Sequence, residues 1–173
     1  NGLRVVSHET AGPVTTLGIV SNLGSRTEHV TGCTHLLELV AFGSSSKYPD
    51  GLAAAQIAQW GGAPLANTGR EQSLHCLDLW RPHVPEAVQL LSNVFLEPNF
   101  DDIGYAQQAM YFQSLPEHCM DQLMTEAVQQ AAFGNDQQLG KRHYCPTEEI
   151  GNLTSQAVYE HWKTHTIDNP QGL

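Results

Sequence analysis

The side chains best equipped for chemistry lie close together in Gly32-Cys33-Thr34-His35-Leu36-Leu37-Glu38-Leu39-Val40-Ala41-Phe42. Its apolar residues are too many for one face, so the stretch reads as a largely buried helix. His35 and Glu38 are its only imidazole and its only carboxylate. Three residues apart on a helix, they project from neighbouring points of one face and can meet at a common site. An inverted zinc site, H-x-x-E-H, asks for more: two imidazoles to hold the metal and a glutamate beside them to take a proton from the bound water. Here the frame is His35-Leu36-Leu37-Glu38-Leu39. Leucine has no lone pair to donate, so the second ligand is missing.

The spacing alone is a weak signal. His83-Val84-Pro85-Glu86 repeats it in a chain with nine His and eleven Glu. The bland reading of such a pair is two buried polar groups that satisfy themselves by hydrogen bonds. His161 and His165, four residues apart, have a chelating separation. No third ligand is near them in sequence, and two surface histidines on a helix end are the expected reading. Cys33, Cys76, Cys119 and Cys145 form no C-x-x-C, so neither a zinc ribbon nor a thioredoxin-type motif is suggested. Free buried thiols in a reducing compartment fit better. Asn152-Leu153-Thr154 fits a glycosylation sequon, a match common by chance.

The 173 residues that must position these groups are one domain's worth, enough to bury about two thirds of the unfolded surface. The formal net charge is −10, with only eight Lys and Arg and no basic run. That balance argues against nucleic acid or an anionic membrane as partner, since both need clustered cations. No apolar run approaches the length of a membrane span. No signal or transit segment is visible, and the chain opens on Asn1, consistent with an upstream piece removed or left out.

Leu3 to His8 and Val14 to Leu23, separated by Ala11-Gly12-Pro13, predict a β-hairpin. The polar loop Asn22 to Thr31 leads into the helix of His35, which Gly43-Ser44-Ser45-Ser46 ends. Leu52, Ala55, Ile57 and Ala58 suggest a short second helix stopped by Gly61-Gly62. Ala63 to Ala66 and Leu74 to Trp80 predict a second hairpin. Pro85 suits the first turn of a helix carrying Val84, Val88, Leu91, Val94 and Phe95, closed by Pro98. A helix from Asp101 to Ser114 stops at Pro116. Another, from Glu117 to Gly134, carries Met120, Leu123, Met124, Ala127 and Val128. After a loop from Asn135 to Pro146, Thr154 starts a final helix with Val158 and Trp162 on one side. The order is an α+β layout of antiparallel hairpins under a helical layer. It stops after a helix with no closing strand, which predicts a fold incomplete at its C-terminus, with part of its sheet uncovered.

The landmarks carry a resemblance. Asn1-Gly2-Leu3-Arg4-Val5, Gly24-Ser25-Arg26, and Gly32-x-Thr34-His35-Leu36-Leu37-Glu38-x-x-Ala41-Phe42 with Ser44-Ser45-Ser46 resemble the amino-terminal lobe of the pitrilysin-type metallopeptidases. Further landmarks follow in order: Gly61-Gly62 with Thr68-x-Arg70-Glu71; Val84-Pro85-Glu86-Ala87-Val88; Leu123-x-Thr125-Glu126 with Ala131-Ala132-Phe133; and Cys145-Pro146-Thr147-Glu148. Together they are most similar to the branch formed by the alpha-type processing-peptidase subunits of mitochondria and the core proteins of respiratory complex III. The likeness covers the whole chain but well under half of a family subunit, so residues 1–173 are expected to be a truncated amino-terminal lobe.

The resemblance assigns roles. His35 stands at the first zinc ligand, Glu38 at the general base and Leu39 at the second ligand. Aligning Gln108-Ala109-Met110-Tyr111-Phe112 with the family's long helix puts Gln113 at the third, where a carboxylate is usual; a neutral amide is a poor substitute on zinc. The expectation is therefore no metal, no cofactor and no catalytic residue. His35, Glu38, Leu39 and Gln113 would be remnant positions, with His35 and Glu38 bonded to each other or to Gln113. The resemblance further implies pairing with a catalytic beta-type subunit, binding of basic presequence peptides and a place on the matrix side of the inner mitochondrial membrane, without a membrane span of its own. Membership of respiratory complex III (the cytochrome b-c complex), beside its other subunits, is a further implication. The acidic balance suits an arginine-rich peptide in sign, with Glu71, Asp78 and Glu117 as candidate wall carboxylates. The alternatives are a purely structural core subunit of complex III, and an active zinc endopeptidase using His35, Glu38 and a further ligand. The glycine-rich loop that marks the alpha subunit would lie beyond Leu173. Expressed alone, the chain is expected to be poorly soluble.

Overall fold

The computed structural model describes residues 3–135 and 138–169, and no side chains within 116–119. Three strands form one sheet: β1 (Val14–Ser21), β2 (Ala63–Thr68) and β3 (Ser73–Trp80). Their order is β1-β3-β2, antiparallel throughout. The register runs from Val14 opposite Trp80 to Ser21 opposite Ser73, and from Ala63 opposite Asp78 to Thr68 opposite Ser73. Alternation along the strands turns Leu17, Ile19, Ala66, Leu77 and Leu79 inward. It leaves Val14, Val20, Leu65 and Trp80 on the other face, each 51–54% exposed.

Among the described residues six α-helices accompany the sheet: α1 (Cys33–Val40), α2 (Leu52–Gln59), α3 (Val84–Leu96), α4 (Gly104–Gln113), α5 (Pro116–Phe133) and α6 (Ser155–Trp162). α1 lies between two packed regions. On one side Leu36, Leu37 and Val40 join Ala106 and Met110 of α4, Val158 and Trp162 of α6, and Cys145, Ile150 and Leu153. On the other, Phe42 joins Ile57 of α2, Leu77 and Leu79 of β3, and Ala87, Leu90, Leu91 and Val94 of α3. The helix that carries His35 is thus clamped from both sides. This is the α+β layout that the element order predicts.

Three expectations need correction. Leu3 to His8 is not a strand, so there is no first hairpin: β1 takes its hydrogen bonds from β3, about sixty residues on. The preceding segment is instead tied down by Arg81, whose guanidinium pairs with Glu9 and donates to the Thr10 carbonyl at 2.7 Å. α4 begins at Gly104 rather than Asp101, because Asp102 Oδ1 accepts the Gly104 N–H at 3.0 Å in a turn that competes with helix. His161 is only 5% exposed, not a surface residue. α5 also runs against the usual rule. Met120, Leu123, Met124 and Val128 point outward at 39–67% exposure, while Glu126, at 5%, is the buried one among the described side chains of the helix. Among the described residues no helix is long and apolar enough to cross a membrane.

Candidate functional site

α1 enters through Gly32, whose φ of +92° lies in the left-handed region. A Cβ there would sit 2.5 Å from that of Cys145, so the loop carrying Cys145 packs directly on the helix start. Glu28 caps the same end: its carboxylate accepts the Gly32 N–H at 2.9 Å and the Thr34 N–H at 2.5 Å. Burial pushes the Glu28 carboxyl up to about 7, against the lowering effect of those bonds and of Lys141.

The structure brings His35 and Gln113 together. His35 Nε2 lies 2.9 Å from Gln113 Oε1, so the imidazole N–H donates and the amide carbonyl accepts. This bond joins α1 to the last residue of α4. Burial lowers the His35 pKa, opposed by Glu38 and Gln113, and the ring is held neutral. Its Nδ1 has no hydrogen-bond partner among the described residues.

Glu38 turns elsewhere. Its Oε2 accepts both the backbone N–H of Thr68, at 2.6 Å, and the Thr68 hydroxyl, at 2.7 Å, at the end of β2. The base position is therefore occupied by a strand terminus. Leu39 is half-buried against the α4 and α6 side of the core.

His143 and Tyr144, which belong to no motif of the sequence, close over this centre. The loop after residue 140 lays His143 and Tyr144 against His35, with ring centroids 5.8 and 5.0 Å away. His143 Nε2 is 3.5 Å from Thr68 Oγ1, and its backbone N–H donates to Glu126 at 3.1 Å. Burial, with smaller contributions from His35 and Arg70, drives the His143 pKa down to about 4. Glu126 meanwhile pairs with Arg70 at 2.8 Å, both side chains largely buried. Arg70 belongs to a turn on which another landmark docks: Ser25 N donates to Gly69 O at 3.1 Å and Arg26 N to Arg70 O at 2.8 Å. The landmark residues Glu38, Thr68, Arg70 and Glu126 thus converge, with His143, on one largely buried polar network.

The remaining candidates do not join it. Glu71 is exposed and pairs with Arg26 at 2.5 Å. Asp78 accepts the Thr16 hydroxyl at 2.6 Å on the outer sheet face. The side chain of Glu117 lies outside the described residues. His83 stacks on Trp60 at 5.8 Å while Glu86 is exposed in the first turn of α3, so the duplicate H-x-x-E spacing makes no site. His161 bonds Thr34 Oγ1 at 3.0 Å, with His165 beside it at 4.8 Å between rings.

The donor set is a poor fit to zinc. At positions 35, 38, 39 and 113 it offers one imidazole already bonded to an amide, a hydrocarbon, and a carboxylate fixed on Thr68. No group of three or more His, Cys, Asp or Glu among the described residues is placed to hold a metal ion.

His35 and Glu38 thus lie three residues apart on a helix packed between an antiparallel sheet and α4, whose last residue faces the histidine. The chain belongs to the insulinase family, peptidase family M16, whose model matches residues 4–147. Among its relatives, the mitochondrial-processing peptidase subunit alpha of Rattus norvegicus is 30% identical over 174 residues, covering 95% of this chain and 33% of the relative. The mitochondrial-processing peptidase subunit beta of Dictyostelium discoideum is 28% identical over 166 residues, covering 92% of this chain and 35% of the relative. The chain thus spans about a third of the length of these curated relatives. In fold it is similar to a protease from Helicobacter pylori: the TM-score is 0.73 at 15% identity, over 89% of this chain and 38% of that one.

Proposed function

We propose that this chain is the amino-terminal lobe of a non-catalytic, alpha-type subunit of a mitochondrial processing peptidase. In this reading it pairs with a catalytic beta-type subunit, helps to bind basic presequence peptides on the matrix side of the inner membrane, and in the intact protein can be built into respiratory complex III. The observation that carries the reading is the His35 to Gln113 hydrogen bond at 2.9 Å. The imidazole at the first ligand position is spent on a neutral amide at the third, and Leu39 supplies no donor at the second. Activating water on zinc needs three protein ligands around an open position. His35 alone does not provide that, and Glu38 is committed to the end of β2. Similarity to alpha subunits over nearly all of the chain supports the assignment to that branch. The formal charge of −10 suits a cationic peptide in sign.

The test is metal analysis of the intact protein, purified with and without its partner. Zinc should be absent from this subunit alone and appear at one equivalent only with a catalytic partner. One equivalent bound by this subunit alone would return the reading to an active endopeptidase. Cross-linking to an arginine-rich presequence peptide should succeed. Co-purification with cytochromes, without any such cross-link, would favour a purely structural core subunit.

A further inference from the structure

The amino-terminal end of α1 gathers more titratable groups than the proposed function uses. Thr34 Oγ1 is bonded to His161 Nε2 at 3.0 Å. A π-helical turn over Lys163–Ile167 follows α6 directly and brings the His165 ring to 4.8 Å from that of His161. His29 and Lys141 stand close enough to act electrostatically on His161. Lys141 Nζ is itself fixed by donating to the Glu28 carbonyl oxygen at 2.7 Å. Glu28, His29 and Lys141 also line a neighbouring cleft of about 490 Å³, together with Arg142, Glu148 and Glu149. Cys33 and Cys145 face the cluster as buried neutral thiols.

From this arrangement we infer that the contact of α6 and its π-helical turn with α1 is an acid-sensitive latch, which opens locally by protonation of His161 and His165. The closed state holds His161 in a place where its cation has almost nothing to pair with. Nδ1 is buried with no hydrogen-bond partner among the described residues, so a proton there would lack an acceptor. Lys141, His29 and His165 all act against a positive charge on His161, and the positive end of α1 adds to them. The one buried carboxylate at hand, Glu28, already accepts two N–H groups.

The sign follows from linkage. Burial first, then the neighbouring histidines and Lys141, lower His161 from 6.5 to about 3; burial and His29 lower His165. A group depressed in the closed state contributes stability that is full above its free value and is lost as pH falls. Release is therefore favoured progressively below 6.5. Glu28 has the opposite sign, being raised to about 7. It stays on the α1 N–H groups when residues 155–167 leave, so its proton does not enter the local equilibrium.

Hydrogen exchange of the intact protein between pH 7.5 and 5.5, corrected for intrinsic rates, tests the latch. Protection over 155–167 should fall about tenfold per pH unit below 6.5 for each histidine that takes up its proton only on release. At every pH it should lie at least tenfold below that of β3, the mark of a local opening rather than of whole-chain unfolding. H161Q/H165Q should flatten the dependence over 155–167. Should that double variant fail to fold, H165Q alone changes a half-buried group and should flatten it in part. Equal protection of 155–167 and β3 at each pH would overturn the latch. So would an unchanged slope in the variants.

Discussion

Thr68 links the chemistry of α1 to the sheet. It donates twice to Glu38 and lies within 3.5 Å of His143, although the sequence places it in the turn after Ala66. Thr68→Val keeps the shape and the backbone bond but removes the hydroxyl. With one charge-assisted hydrogen bond lost, stability should fall by about 2 kcal/mol, read as a lower urea midpoint with an unchanged slope. Gly32 sets a second residue-scale test. Gly32→Ala combines left-handed backbone at φ +92° with a Cβ 2.5 Å from that of Cys145, and should cost about 2–5 kcal/mol. Gly51→Ala meets the same backbone problem at φ +77° with nothing within 4 Å, and should cost about 1–2 kcal/mol. Equal losses in thermal unfolding would mean that contact with Cys145 does not matter. The family frame left His35 two partners, Glu38 or Gln113, and the bond to Gln113 is the one formed. The commitment of Glu38 to Thr68 was not legible, since thirty residues of sequence carry no sign of which carboxylate will cap which strand end.

Among the elements, α5 is the one whose polarity runs inside out. Glu126 faces inward to hold Arg70 and the His143 backbone, joining a helix, a hairpin turn and a loop at one carboxylate. Glu126→Ala would leave a largely buried guanidinium and a backbone N–H without their acceptor, and should lower stability by about 3–5 kcal/mol. Arg70→Met/Glu126→Leu, which removes both charges, should cost less than the single change, and a double-mutant cycle on chemical denaturation measures the difference. Sequence periodicity placed α1, α2, α3, α6 and the β2–β3 hairpin to within a few residues, because each is decided by local apolar spacing and nearby Gly or Pro. It failed on the first hairpin. Val14 to Ser21 has the alternation of a strand, but alternation does not say which strand will pair with it. Only the long-range register with β3 does. The inward polar face of α5 was hidden for the same reason: a lone glutamate on a helix reads as solvated until the arginine fifty-six residues away is seen beside it.

At the scale of the whole molecule, the apolar groups left outside the core among the described residues include the outer sheet face with Val14, Val20, Leu65 and Trp80, and the α5 stripe with Met120, Leu123, Met124 and Val128. Exposed contiguous apolar area of this kind favours self-association. It contributes little to folding, because side chains that stay in contact with water bury no area for the hydrophobic effect to act on. The two consequences separate in one variant. Met124 and Val128 are 62% and 67% exposed, so Met124→Glu/Val128→Gln should change unfolding free energy by no more than about 0.5 kcal/mol per site. The same variant should raise solubility and reduce self-association of the chain in sedimentation velocity, because it breaks the stripe and adds to an already negative charge of −10. A loss of several kcal/mol would mean that the stripe is packed against the rest of the lobe. Unchanged association would assign the stickiness of the chain to its outer sheet face, where Leu65→Thr is the corresponding change.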